Sequence, residues 1–175
     1  MPIISLKEHG ISTGLTEAEA DQITNMGQIL ALKAGMSFSD SIQIENNWQG
    51  KRIQDVPSTT ISDALQIQNH GNYYALANGL TLDVAILLNT ENQVKVFALT
   101  NDLSFAVTYG DIGAVQFLIA KGFDKTIAQQ FTELCQAVIY SREPTQTILD
   151  DVIQLPSTVN CKAYINTNKN LAASL

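Results

Sequence analysis

The sequence predicts an all-α, mainly helical fold, and three segments carry this prediction. Residues 16–34 begin with Thr16 and Glu19 in a Thr-x-x-Glu capping box, continue with apolar residues at helical spacing, and end before a glycine. The segments 112–121 and 125–142 have the same periodicity, and they stop at a glycine and before a proline respectively. Helix-length pieces punctuated by breakers favour a helical domain.

The remaining segments are assigned in order from weaker signals. Residues 61–69 predict a short helix that stops at His70-Gly71, and residues 145–154 predict a last helix. The stretch 37–57 fits either a short hairpin or an irregular connector. The polar residues 156–175 are expected to form a tail.

Residues 72–110 support a second interpretation, an α+β fold. Apolar side chains alternate with others at 80–88, as in a half-buried strand, and 94–98 look like a hairpin partner. This alternative places an antiparallel meander at 72–110 and flanks it with helices. Both fold classes stay open at this point.

Composition excludes several classes of function. The 175-residue chain carries 17 acidic and 10 basic residues, a formal charge of −7, whereas nucleic-acid binding needs clustered Lys and Arg. The same acidity argues against an anionic membrane surface and favours a basic or neutral protein partner. With only 15% charged residues, 14 Gln and 13 Asn must cover much of the surface.

The chain start predicts a cytoplasmic protein, or one delivered by a route without a cleaved leader. The first residues lack a sustained apolar stretch with a cleavage site, and the sequence has no apolar run long enough to span a membrane.

Catalytic and metal-binding patterns are absent from the sequence. The only cysteines, Cys135 and Cys161, are well separated along the chain; Cys135 fits a small core residue, and a disulfide between them is left open. His9 and His70 are too distant in sequence to form a metal motif with them, and His70 suits a turn. The adjacent pair Asp150-Asp151 diverges on a helix and fits a solvated face better than an acid–base pair. No phosphate-binding or dinucleotide-binding loop occurs, so no cofactor is predicted.

An internal repeat competes with the strand interpretation. Residues 103–124 contain the pattern L-x-x-A-x-x-x-G-x-x-x-x-V-x-x-L-I-x-x-G. When the pattern is shifted upstream so that Ala106 falls on Ala75, five positions recur, at Ala75, Gly79, Val84, Leu87 and Leu88. An equal shift downstream recovers three, at Leu134, Ala137 and Leu149.

This pattern resembles the ankyrin repeat, strongly over 103–124 and more weakly over 72–91 and 134–149. The resemblance implies stacked helix–turn–helix units over 61–155, with 1–60 as an amino-terminal extension or cap. The sequence departs from the family at Asn101-Asp102, which stands where the family has Thr-Pro.

The resemblance implies a non-catalytic module that binds a protein partner. The family's variable contact positions fall on inner helices and the turns before them. Carried over position by position, they are Leu76, Asn78, Asn101, Asp102, Thr108, Tyr109 and Tyr140.

Two other functions remain as alternatives. The size, the acidity and the alternation at 80–98 fit an acidic α+β partner protein, such as an immunity protein or a secretion chaperone. A small enzyme with an unrecognised site is the other alternative.

Overall fold

A computed structural model describes residues 4–155, and every regular element in that range is a helix. Throughout this range, longer helices alternate with shorter ones. The longer ones are α1 Leu6–Ser12, α3 Met26–Lys33, α5 Asn47–Asp55, α7 His70–Ala77, α9 Glu91–Thr100, α11 Gly113–Ala120 and α13 Leu134–Arg142. The shorter ones are α2 Glu17–Ala20, α4 Phe38–Ser41, α6 Ile61–Leu65, α8 Leu82–Ala85, α10 Leu103–Tyr109, α12 Lys125–Ala128 and α14 Gln146–Val152.

The α+β alternative is therefore wrong, and the prediction of an all-α fold is confirmed for the described residues. The alternation at 80–88 misleads because the two residues that reach the core, Ala85 and Leu88, lie three apart, as in a helical turn. Leu87 is 49% exposed although it directly precedes fully buried Leu88. The proposed hairpin partner belongs to α9.

Two predicted long helices are each divided in the structure. The segment 16–34 comprises α2 and α3, because Asn25 takes an extended conformation and its Oδ1 accepts the Gln28 N–H at 3.1 Å, which starts a new helix. The segment 125–142 comprises α12 and α13, separated at Phe131, whose side chain is fully buried.

Two assignments before residue 71 also change. The stretch 37–57 is neither a hairpin nor wholly irregular, because it contains α4 and α5. His70 does not end a helix in a turn but is the first residue of α7, since Asn69 caps that helix by accepting the Asn72 N–H at 3.0 Å.

Other predicted elements are confirmed within a few residues. The Thr16–Glu19 capping box forms in both directions at the start of α2. The helices predicted at 61–69, 112–121 and 145–154 correspond to α6, α11 and α14. The predicted tail and Cys161 lie outside the described residues.

The chain divides into two compact units, Met1–Asn89 and Thr90–Leu175. In the first unit each odd-numbered helix packs against the next one, α1 on α3, α3 on α5 and α5 on α7. In the second unit α9 packs on α11 and α11 on α13. The odd-numbered helices begin at nearly even intervals, for example at Asn47, His70 and Glu91, so one helix pair recurs along the sequence.

Each recurrence buries the same positions. The fourth residue of the second helix of every pair is no more than 5% exposed, and these residues are Ala20, Ser41, Ala64, Ala85, Ala106, Ala128 and Leu149. Most are small, which lets the short helix lie close to the longer helices of its unit.

Buried amides tie the two helices of a pair together. The third residue of α3, α5, α7, α9 and α13 is an amide that is at most 7% exposed, and this amide ladder consists of Gln28, Gln49, Asn72, Gln93 and Gln136. Its side-chain nitrogens donate to backbone carbonyls in the last turn of the second helix of the same pair or beyond its end, for example Gln49 Nε2 to Ile67 O at 3.1 Å. These bonds satisfy carbonyls that a helix end leaves without an intrahelical partner.

Candidate protein-binding surface

A groove in the second unit crosses the exposed faces of α9, α11 and α13. Its volume is about 750 Å³, within the range of roughly 300–1,000 Å³ that is usual for ligand clefts. The lining is mainly apolar, with Val96 and Leu99 from α9, Phe117 and Ala120 from α11, and Leu134 from α13.

Two leucines in this groove are unusually accessible. Leu99 is 62% exposed and Leu134 is 50% exposed, although both belong to well-formed helices. Phe117, on the helix between them, is half-buried. A folded chain gains nothing from exposing two leucines in one groove, so this surface is suited to being covered by another molecule.

The charged groups at the groove are two lysines, one of which is paired with a glutamate of its own helix. Among the lining residues Lys95 is charged and none is acidic; its Nζ lies 2.6 Å from Glu91 Oε1 one turn earlier on α9. Lys121 follows α11, and its Nζ lies 5.6 Å from the centre of the Phe117 ring. The groove therefore presents an apolar floor with ammonium groups beside it.

In the first unit the corresponding helix positions carry an aromatic cluster, formed by Trp48, His70, Tyr73 and Tyr74. Trp48 is the second residue of α5, as Asn92 is of α9, and Tyr74 is the fifth residue of α7, as Phe117 is of α11. The Trp48 and His70 ring centres are 4.6 Å apart, and those of Trp48 and Tyr73 are 5.5 Å apart. These rings pack mainly on one another, so the cluster joins α5 to α7.

Tyr73 is the most perturbed titratable group of this cluster. Its hydroxyl donates to Asp55 Oδ2 at 2.5 Å, and Lys51 Nζ lies 5.5 Å from its ring centre. Burial raises the pKa of Tyr73 to about 12, and the hydrogen bond to the Asp55 carboxylate adds to the rise. The phenol is therefore a stable donor at neutral pH rather than a nucleophile.

A smaller cavity of about 330 Å³ lies within the first unit, at the ends of α5 to α8. Arg52 and Asp63 line it together with hydroxyl and apolar side chains, including that of Leu76. This lining contains no nucleophile paired with a base.

The two predicted contact residues of the first unit differ in their exposure to solvent. Leu76 is 9% exposed and lines the smaller cavity. Asn78 is exposed at the end of α7, where its Nδ2 donates to Tyr74 O at 2.8 Å.

Four predicted contact residues of the second unit belong to α10 or to the turn before it. Asn101 is exposed and has the left-handed φ of 50°, which ends α9. Asp102 caps α10, and its hydrogen bond and ion pair with Lys125 hold the pKa of its carboxyl below the usual value. Thr108 is exposed, while Tyr109 is half-buried against the Phe105 ring, with centres 5.0 Å apart.

Tyr140 was expected at the surface, but it is only 4% exposed. Its ring lies between those of Phe123 and Phe131, with centres 5.5 and 5.3 Å away. None of the seven predicted residues lines the apolar groove.

The groove residues escaped the sequence prediction because α9 was interpreted as a possible strand. In a helix, Asn92, Lys95, Ala98 and Leu99 form one stripe, and this stripe is what α9 exposes. A helical interpretation would have revealed an exposed leucine on that stripe.

Comparisons with known proteins give no relative. No family model, no curated protein and no solved structure matches this chain. Function must therefore be argued from the groove itself.

The described part of the chain shows neither a metal-binding cluster nor a membrane-spanning helix. Over residues 4–155 no three His, Cys, Asp or Glu side chains gather where they could hold a metal ion. In the same range no helix has the length and apolar character needed to cross a membrane.

Proposed function

We propose that this chain is a protein-interaction module that binds its partner in the groove across α9, α11 and α13. The observation that carries the proposal is the exposure of Leu99 and Leu134, at 62% and 50%, on either side of the half-buried Phe117. Because each leucine is already partly covered, burying the rest of it contributes about 1–2 kcal/mol, so two leucines and a ring form an adequate centre for an interface.

The recurring helix pair supports the same function. Repeated helix pairs present the same helix face several times along the chain, and such faces are common protein-binding surfaces.

We propose stacking comparable to that of ankyrin repeats, which the pattern at 103–124 resembles. The structural unit is shorter than the sequence repeat: it extends from the start of one odd-numbered helix to the next, whereas the sequence repeat extends from Ala75 to Ala106. When the chain is divided by the sequence repeat, the first helix of one copy is α7, which is a longer helix. The first helix of the next copy is α10, which is a shorter helix.

Site-specific photo-crosslinking tests the proposal. A photoreactive amino acid is placed at position 99 of the full chain, and the chain is irradiated in an extract of its own host. Position 107 is the matched control, because Val107 is also an exposed apolar residue of the second unit, at 40%, but does not line the groove.

We expect a discrete crosslinked partner from position 99 and none from position 107, with the product lost when Leu134→Glu is added. Equal crosslinking from both positions would contradict the proposal.

A further inference from the structure

We propose that the occupant of this groove is an amphipathic helix of a partner protein, with carboxylates beside its apolar face. This inference rests on the proposed function and specifies the chemistry of the partner. It follows from the recognition modes that the groove allows, from its side-chain layout and from its charge.

The composition of the groove disfavours three common modes of peptide recognition. Strand addition needs a sheet edge, and residues 4–155 contain no strand. Proline-rich segments dock between several aromatic rings, whereas Phe117 is the single aromatic side chain in the lining. Phosphorylated motifs are held by clustered arginines, and the lining has no arginine. Docking of a helix is the mode that suits an apolar groove between helices.

The side-chain layout suits an inserted helix. Leu99 on α9 and Leu134 on α13 flank the face of α11, where Gly113 and Ala120 leave room beside the Phe117 ring. A helix whose apolar residues recur at i, i+3 or i+4, and i+7 presents one continuous stripe. Such a stripe covers both leucines and the ring at once.

The charge of the groove selects the sign of the flanking residues. Lys95 is the charged residue of the lining, and Lys121 lies beside Phe117 at the end of α11. Glu91 pairs with Lys95 from the same helix. A partner helix with Asp or Glu next to its apolar stripe therefore finds complementary charge, whereas Lys or Arg at those positions meets repulsion.

Selection from a library tests this inference without assuming a partner. Random peptides, each long enough for about four helical turns, are displayed on phage and selected on the intact chain, after depletion on the double variant Leu99→Glu/Leu134→Glu. The retained peptides are sequenced, synthesised and titrated against the intact chain.

We expect the retained peptides to carry apolar residues at i, i+3 or i+4, and i+7 with Asp or Glu beside them, and to become helical on binding. Peptides that require Leu99 and Leu134 but are extended, proline-rich or basic would overturn this inference without contradicting the proposed function. If no peptide depends on Leu99 and Leu134, both are overturned.

Reversing the charge of the two lysines distinguishes a requirement for acidic residues in the partner from binding through apolar contacts alone. Lys95→Glu/Lys121→Glu should weaken a retained peptide at least tenfold, and added salt should weaken its binding to the unchanged chain. Lys51→Glu is the matched control, since Lys51 is the fifth residue of α5 as Lys95 is of α9, and it should leave affinity within twofold. An equal effect of the two changes would contradict the acidic partner.

Discussion

At the scale of single residues, the amide ladder shows why this chain is rich in glutamine and asparagine. Gln49 is fully buried, accepts the Glu45 N–H at 2.8 Å and donates to Ile67 O at 3.1 Å. An aliphatic side chain of the same size fills the space but leaves the Glu45 N–H without a partner and leaves Ile67 O with Asn46 Nδ2 alone as its side-chain donor, at 3.0 Å. The high content of glutamine and asparagine therefore reflects buried amides that hold the fold together as well as amides on the surface.

Gln49→Leu should lower the free energy of unfolding by about 1–3 kcal/mol, because it leaves the Glu45 N–H without its partner and removes one of the two side-chain donors to Ile67 O. Urea denaturation followed by circular dichroism measures this loss. Gln54→Leu is the control on the same helix, where the side chain is exposed, and it should change stability by less than about 0.5 kcal/mol. Equal losses would show that the amide is not needed.

Tyr73 gives a prediction about pH. Its pKa of about 12 in the folded chain exceeds the value of about 10 for an unfolded chain. Because the folded pKa is the higher one, this group's contribution to stability is complete below about pH 10 and is lost as pH rises towards about 12.

The Tyr73 Cζ chemical shift, followed against pH, should titrate near a pKa of about 12. Asp55→Asn should lower that midpoint, because it removes the carboxylate that accepts the phenolic proton. A midpoint near the ordinary tyrosine value of about 10 in the unchanged chain would refute the assignment.

At the scale of elements, glycine sets the contact between α3 and α5. A Cβ added at Gly50 would lie 2.1 Å from the Gly27 carbonyl oxygen, so the two backbones touch. No neighbouring side chain can move aside to relieve that clash.

Gly50→Ala should therefore destabilise the chain by about 1–3 kcal/mol, as overpacking does. Gly113→Ala is the control, because no heavy atom lies within 4 Å of its added Cβ, and it should be neutral or stabilising by about 0.4–1 kcal/mol. Thermal unfolding compares the two variants. An equal loss for both would mean that helix contact at Gly50 is not the cause.

Local signals in the sequence predicted individual helices better than their boundaries. The Thr16–Glu19 box acts between neighbouring residues, and it was predictable for that reason. The break at Asn25 was missed because a helical stripe continues through it, although Asn25 and Gln28 recur as Asn46 and Gln49. This spacing of asparagine and glutamine was the available signal for the short repeat.

At the scale of the molecule, both units use the same helix pair but present different side chains on its outer face. In the first unit the rings of Trp48, His70 and Tyr73 cover one another. In the second unit Leu99 and Leu134 stay open to solvent. The helical stripe of α9 in the sequence indicates that Leu99 is exposed. That Leu134 lies in the same groove could not be predicted, because it depends on which helices pack side by side.

The central claim is that the groove of the second unit is where a partner binds. The most direct measurement is the affinity of the crosslinked partner for the intact chain, for Leu99→Glu and for Val107→Glu. Leu99→Glu should weaken binding at least tenfold, about 1.4 kcal/mol or more, while Val107→Glu leaves it within about twofold. An equal loss for both variants, or none for Leu99→Glu, would contradict the claim.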